Sequence, residues 1–182
     1  MNPGNASPAT RAEFYLCLVR AFLPPMEKEF YRGFRENLAD DLEEIGALLS
    51  YPIALHLDAF RASLWEIPNP LTLLQLYSRL FLAPPVPAHL NAGWYLDGTV
   101  MGGSVQAVEG WYRRHGLERA ESFHDLPDHV ALQLEFVARL FAGAAAAHQV
   151  GDDTEAQRFE AEARAFLGAF VTRWLSLRDL FG

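Results

Sequence analysis

The side chains best suited to chemistry lie together in the segment His124-Asp125-Leu126-Pro127-Asp128-His129. An aspartate can accept hydrogen bonds from a guanidinium group, and an imidazole titrates near neutral pH. The same residues also suit a helix start, because proline fits the first turn and carboxylates complement the positive end of the helix dipole. The segment therefore predicts either a polar binding handle or a capping structure for the helix that follows.

An apolar cluster, Tyr77, Leu80 and Phe81, stands in the last turn of a predicted helix. Their spacing of i, i+3 and i+4 places the three side chains on one helix face. Such faces usually pack into a core. A long loop follows directly, however, and it could leave part of this face open to a ligand.

Other chemistries have weaker support. An Asp-oriented His129 could act as a general base, but no G-x-S-x-G nucleophile motif accompanies it. The six histidines show no H-x-x-x-H or H-E-x-x-H spacing, and the single cysteine, Cys17, is expected to be a small core residue. There is no G-x-x-x-x-G-K-[ST] motif, and Gly102-Gly103-Ser104 is more simply a helix start than an anion site. We therefore expect no catalytic residue, no metal and no cofactor.

The elements that position these residues are predicted to be helices. Apolar residues recur at helical spacing, and no segment alternates with period two for long enough to form a strand. Helices are expected at about 11–23, 26–49, 52–65, 71–82, 102–115, 127–149 and 154–180, the last with a kink near Gly168. Expected caps are Thr10, Asn69 and Gly116. Residues 83–100 are expected to form a long irregular loop rich in proline and glycine.

Length and composition agree with this architecture. The chain has 182 residues, 51% of them hydrophobic, and 15 basic against 23 acidic side chains give a net charge of −8. We expect one all-α domain, a bundle of about seven helices over 1–182 with 1–9 disordered. The acidic balance argues against nucleic acid as a partner.

Two features bear on the membrane. The N-terminus has no basic and apolar regions of a signal peptide. The apolar stretch 130–150 contains Glu135, Arg139 and His148, so a core helix is favoured over a membrane span. The expected location is the cytoplasm, without direct membrane insertion.

A set of motifs, taken in order, resembles the TorD/DmsD/NarJ family of redox-enzyme maturation chaperones. The motifs are Tyr77-x-x-Leu80-Phe81, Tyr95-Leu96-Asp97-Gly98 with Met101-Gly102-Gly103-Ser104, Tyr112-x-x-x-Gly116-Leu117, and Leu126-Pro127-Asp128-His129 continuing to Leu134-Glu135-Phe136. The resemblance covers about residues 12–175 and is carried by the order and spacing of the whole set.

The resemblance implies an all-helical fold without catalytic activity. It implies a partner too, the catalytic subunit of an apo molybdopterin oxidoreductase. The chaperone would bind its N-terminal segment, often a twin-arginine signal peptide, while the molybdenum cofactor is inserted before export or membrane assembly. By resemblance, Tyr77, Leu80 and Phe81 would meet the apolar part of this client. Asp125, Pro127, Asp128 and His129 of the family's Glu-x-Pro-Asp-His motif would bind the client too, with Asp128 and His129 as the expected polar contacts. Loop contacts would come from Tyr95, Asp97 and Gly98.

The chain departs from the family pattern at three places. Asp125 replaces the usual Glu, Gln133 replaces a common Glu, and the chain ends at Gly182, where many relatives continue with a further helix. A missing helix would expose apolar surface, so either a monomer or a homodimer is expected. The alternative functions are a general helical interaction module and, less favoured, a small hydrolase using Asp128 and His129.

Overall fold

The computed structural model describes residues 7–118, 120 and 123–175, and these form helices joined by turns and loops. In chain order the helices are α1 (Pro8–Phe22), α2 (Lys28–Arg32), α3 (Leu38–Leu48), α4 (Ala54–Leu64), α5 (Pro70–Phe81), α6 (Ala92–Asp97), α7 (Gly103–Arg114), α8 (Val130–Gln149), α9 (Asp153–Phe166) and α10 (Thr172–Leu175). The described residues contain no strand, only one isolated bridge between Asn91 and His129. The all-α prediction is confirmed.

Two of the predicted helices are each divided by a π turn. Gly33–Asn37 joins α2 to α3, and Leu167–Val171 joins α9 to α10. A π turn inserts one extra residue into the helical ladder and commonly marks a bend. The kink predicted near Gly168 falls inside the second of these turns. The expected extension of the last helix to residue 180 passes beyond the described residues, which end at 175.

The helix ends follow capping chemistry, with one correction. Asn69 caps α5 and Gly116 has the left-handed φ of 66° that ends a helix, as predicted. The cap of α1 is Ser7 and not Thr10, because the Ser7 hydroxyl accepts from the Thr10 amide at 3.1 Å. The helix consequently begins at Pro8, inside the segment 1–9 that was expected to be disordered. Residues 1–6 of that segment lie outside the described residues.

The expected irregular loop and the start of α8 also need correction. Residues 83–100 include the short helix α6, which ends at Gly98 with a φ of 68°. Helix α8 begins at Val130 and not at Pro127, because Pro127 and Asp128 form a turn and His129 is the N-cap. Both changes have one cause, since residues 90–92 pair with 128–130: Ala92 N–H donates to the Asp128 carbonyl and Val130 N–H to the Leu90 carbonyl.

The main core is built around α8. It packs against α1 and α9, and Val130, Leu134, Val137 and Phe166 are buried among the residues between them. Helix α8 is long and apolar enough to cross a membrane, but 61% of its apolar window is buried inside the fold. This burial fits the prediction of a core helix, because a buried apolar face is already covered by protein.

Two smaller clusters complete the interior. One joins α1 to α3 and α4 through Phe14, Cys17, Leu38 and neighbouring apolar residues. The other joins the end of α4 to α5 through Leu64, Ile67 and Leu73, with Phe30 of α2 packed against it. The second cluster therefore anchors α2 beside α5, and the connection between α1 and α2 passes close to the end of α5.

Candidate functional site

An open groove of about 610 Å³ lies where the α1–α2 connection, the end of α5 and the segment preceding α8 meet. We call it the α5–α8 groove. Its lining residues are Leu23, Pro24, Met26, Glu27, Phe30, Tyr77, Leu82, Phe123, His124, Asp125 and His129. Two of these residues are acidic, and the described lining contains no lysine or arginine. Apolar walls beside carboxylates are suited to a ligand that carries both apolar and cationic groups.

Part of the apolar wall of the groove is open to solvent. Met26 and Leu82 are 74% and 59% exposed, respectively, whereas Leu23, Phe30 and Phe123 are partly buried beside them. Exposed apolar residues are common when they stand alone, but residues gathered along one groove are typical of a binding surface. A flexible methionine also adapts to ligands of different shape.

The rim of the groove carries Glu27, His124 and Asp125, all of them exposed. The Oδ1 atom of Asp125 accepts from the Leu126 amide at 2.6 Å and from Asn91 Nδ2 at 3.0 Å. These two bonds hold the Asp125 side chain at the edge of the groove. The carboxylate there can meet a cationic group without being buried first.

Asp128 differs from Asp125 because it is fully buried. Its Oδ2 atom accepts from the Gly93 amide at 2.7 Å, and its Oδ1 atom accepts from Asn91 Nδ2 at 3.3 Å. Burial raises the pKa of the Asp128 carboxyl above its usual range, and the hydrogen bonds from Gly93 and Asn91 oppose this rise. The carboxylate thus fastens the start of α6 to the segment before α8.

His129 is also buried, with 2% of its surface exposed at the groove. Its Nδ1 atom accepts from the Ala131 amide at 3.1 Å and caps α8, which assigns the ring proton of the neutral form to Nε2. Burial lowers the pKa of His129, so the neutral form is favoured. The ring packs edge-on against Phe123, with 5.4 Å between centroids.

Of the apolar cluster predicted from the sequence, Tyr77, Leu80 and Phe81, only Tyr77 lines the groove. Tyr77 lines the groove, and its hydroxyl donates to the Phe22 carbonyl at 3.3 Å; burial raises its pKa to about 12. Phe81 packs against the main core, with its ring 5.0 Å from that of Tyr77. Leu80 is partly buried on the same helix and is not part of the groove lining.

The remaining predicted residues shape the loop around α6. The Tyr95 hydroxyl accepts from the His89 amide at 2.9 Å and donates to the His89 carbonyl. Asp97 accepts from the amide and hydroxyl of Ser104, which lowers the pKa of its carboxyl, and Gly98 ends α6. Buried Pro127 accepts from the Tyr112 hydroxyl at 3.0 Å. None of these residues lines the groove.

Sequence reasoning missed several residues of this site. Met26, Glu27, Phe30, Leu82 and Phe123 line the groove but were not singled out as binding residues. Pro24-Pro25 indicates that the chain turns between α1 and α2. The two prolines do not indicate that this turn packs beside the end of α5. Asn91 falls in the loop that the sequence predicts, and no local signal indicates that its amide contacts both Asp125 and Asp128.

A second cleft, of about 500 Å³, lies between the Gly33–Asn37 turn and α4. Arg61 in this cleft is already paired with carboxylates, because its Nη2 atom lies 2.6 Å from both Asp40 Oδ1 and Glu43 Oε2. The Arg61 guanidinium therefore compensates the carboxylates of Asp40 and Glu43, which would otherwise attract a cationic ligand. The α5–α8 groove is the better candidate for such a ligand.

The described residues do not support a metal site or a hydrolytic site. No group of three or more His, Cys, Asp or Glu side chains there is arranged to hold a metal ion. Asp128 accepts hydrogen bonds from Gly93 and Asn91, and His129 accepts one from Ala131, so the carboxylate does not orient the imidazole as a general base requires. This geometry gives the hydrolase alternative no support.

Comparison with known proteins gives one result that covers most of the chain. The family model described as nitrate reductase delta subunit matches residues 31–177 of the 182. No curated protein and no solved structure matches the chain. The matched range contains the end of α2, all of α3 to α10, Asn91 and the segment preceding α8. It includes the groove residues from Tyr77 onward in the chain, whereas the groove residues Leu23 to Phe30 precede it.

Proposed function

The chain belongs to the nitrate reductase delta subunit family of redox-enzyme maturation chaperones, which act with molybdoenzyme subunits, and on this premise we propose that its α5–α8 groove binds the N-terminal segment of an apo molybdopterin oxidoreductase. The client is the catalytic subunit, and the bound segment is a twin-arginine signal or a related sequence. The chaperone works in the cytoplasm, where it retains the client during cofactor insertion. In this role it catalyses no reaction.

The observation that carries the proposal is the pairing of exposed apolar walls with an acidic rim. Met26 and Leu82 offer apolar surface that a peptide can cover, and burying such surface contributes roughly 25 cal/mol per Å² before the costs of binding. Glu27 and Asp125 lie at the edge of the same groove. A twin-arginine segment, with arginines followed by an apolar stretch, has both complementary features.

The net charge of the molecule supports the same client. A protein of charge −8 attracts a basic peptide over distances comparable to the Debye length, about 8 Å at physiological salt. Such attraction accelerates encounter more than it strengthens the final complex. The groove then supplies the short-range contacts that hold the peptide.

Titration calorimetry with synthetic peptides tests the proposal. A twin-arginine N-terminal peptide is expected to bind more tightly than a scrambled peptide of the same composition. Equal affinity for the two sequences contradicts the proposal and favours the general interaction module. Turnover of ester or phosphate reporter substrates that is lost in His129→Ala would instead favour the hydrolase.

A further inference from the structure

The segment between α5 and α6 meets the segment before α8 through one side-chain amide. Asn91 Nδ2 lies 3.0 Å from Asp125 Oδ1 and 3.3 Å from Asp128 Oδ1, so one amide group donates to two carboxylates. Asp125 is exposed on the rim of the groove, whereas Asp128 is fully buried. Asn91 therefore connects the interior of the protein with the charged edge of the groove.

The position of Asn91 is itself tightly determined. Its backbone forms the isolated antiparallel bridge with His129, and the flanking residues Leu90 and Ala92 exchange backbone hydrogen bonds with Val130 and Asp128. The backbone that carries the Asn91 side chain is therefore hydrogen-bonded to the segment that lines the groove. An amide held in this way can fix the direction of a carboxylate that would otherwise move on the surface.

The carboxylates of Asp125 and Asp128 both need the hydrogen-bond donor that lies between them. Two aspartates share a single amide, and an amide NH2 group has two hydrogens to give. Without these hydrogens the two carboxylates would face each other with fewer donors, and a buried carboxylate that loses a donor is costly. The expected response is a displacement of Asp125, because it is exposed and can move into water.

We propose that Asn91 is a positioning residue of the α5–α8 groove: its side-chain amide clamps Asp125 to buried Asp128 and so fixes the carboxylate that meets the cationic end of the client. This inference rests on the proposed function for the identity of the client. It assigns recognition of the cationic group to Asp125, and it makes Asp128 a support for that residue and not a direct contact.

The test compares peptides that differ only in charge. One synthetic peptide carries two arginines followed by an apolar stretch, and its partner carries glutamines in place of both arginines. Asn91→Ala is expected to reduce affinity for the arginine peptide about tenfold, the size of one lost charge-assisted interaction. Its affinity for the glutamine peptide should stay within about twofold of wild type, because the apolar walls are unchanged.

Matched variants make the test specific. Asn37→Ala, at an exposed residue without a capping hydrogen bond and outside the groove lining, is expected to bind both peptides as wild type does. Asp125→Ala should produce the same selective loss as Asn91→Ala, and the double variant should lose no more than either one. If Asn91→Ala weakens both peptides equally, or weakens neither, the clamp is overturned.

A measurement without peptide separates this inference from the proposed function. In NMR spectra of the ligand-free protein, the two side-chain amide protons of Asn91 are expected to shift in Asp125→Ala, whose fold can be checked by circular dichroism. Unchanged amide signals overturn the clamp even when the peptide binds. If wild type binds neither peptide but the amide signals shift, the proposed function fails and the clamp is retained as a feature of the fold.

Discussion

Two neighbouring residues, Asp128 and His129, stabilise the structure around the groove in different ways. Asp128 accepts the Gly93 amide inside the protein, and His129 accepts the Ala131 amide to cap α8. Their side chains are buried, whereas Glu27 and Asp125, the carboxylates that we propose meet the client, are exposed. Within the segment 124–129, Asp128 and His129 therefore support the fold, and the proposal assigns contact with the client to Asp125.

This division predicts unequal effects on stability. Asp128→Ala is expected to lower the free energy of unfolding by about 2–4 kcal/mol, because it leaves the buried Gly93 amide without its acceptor and removes one of the two acceptors of the Asn91 amide. The matched variant Asp125→Ala removes an exposed carboxylate and should cost less than about 1 kcal/mol. Urea denaturation of both variants measures the difference. Equal losses would contradict the assignment.

The capping role of His129 predicts a dependence on pH. Burial lowers the pKa of His129 in the folded protein, so the unfolded chain takes up the proton first as pH falls through its ordinary value of 6.5. The stability from neutral His129 is therefore present above this pH and is lost as pH decreases toward the lower pKa of the folded state.

The matched variant is His129→Asn, which offers an oxygen as an alternative N-cap but does not titrate. Across the range from about pH 7 to pH 5, its stability should fall less than that of wild type. Chemical denaturation at each pH gives the comparison. Parallel pH profiles for the two proteins would show that His129 does not couple protonation to folding.

At the scale of the element, α6 is held against its neighbours by close contacts at Gly93. A Cβ atom at Gly93 would lie 2.9 Å from the Thr99 carbonyl oxygen, 3.1 Å from Asp128 Oδ2 and 3.2 Å from Ser104 Oγ. Backbone and two hydrogen-bonded side chains surround the position, so none of them can give way cheaply. The glycine permits the short distance between the α6 backbone and the Asp128 carboxylate.

Alanine substitutions at two glycines test this contact. Gly93→Ala is expected to lower the free energy of unfolding by about 1–3 kcal/mol because the added methyl group overpacks the junction. Gly110→Ala, in α7 with no atom within 4 Å of the added Cβ, should raise it by about 0.5–1 kcal/mol through helix propensity. Thermal or urea melts distinguish the two, and a stabilised Gly93→Ala protein would contradict the described contact.

The elements differ in how well their sequence predicts them. Local signals are sufficient for α5, where Asn69 and Pro70 mark the start, and they place an irregularity near Gly168, where the structure has a π turn. They were insufficient for α6 and for the start of α8, because both depend on pairing between residues 90–92 and 128–130, which are far apart in the chain. The clustering of Asp125 with Tyr77 was expected through the family resemblance, whereas Met26 reaches the same groove only through the packing of α2 beside α5.

At the scale of the whole molecule, the net charge of −8 is spread over many helices, but only part of it borders the groove. Surface charges far from the groove contribute to the approach of a basic client and are screened by salt. The rim carboxylates of Glu27 and Asp125 are expected to contribute also to the affinity of the bound complex. The two contributions can be separated by removing one charge at a time.

Asp125→Asn and Glu44→Gln each remove one negative charge, the first at the groove rim and the second on exposed α3 outside the lining. Asp125→Asn is expected to weaken binding of a twin-arginine peptide about tenfold, as Asp125→Ala does, and Glu44→Gln less than twofold. Affinity for wild type should fall as salt increases, with a shallower dependence in Asp125→Asn. Equal behaviour of the two variants would mean that only the overall charge matters.

The most direct test of the central claim uses methionine methyl signals as reporters of the binding surface. Met26 lines the groove and is 74% exposed, whereas Met101 is 79% exposed but lies outside the groove lining. In protein labelled with ¹³C at the methionine methyl groups, a twin-arginine peptide is expected to shift the Met26 signal and leave the Met101 signal in place. Saturable peptide binding that leaves Met26 unmoved, or that shifts Met101 instead, would contradict the assignment of the client to the α5–α8 groove.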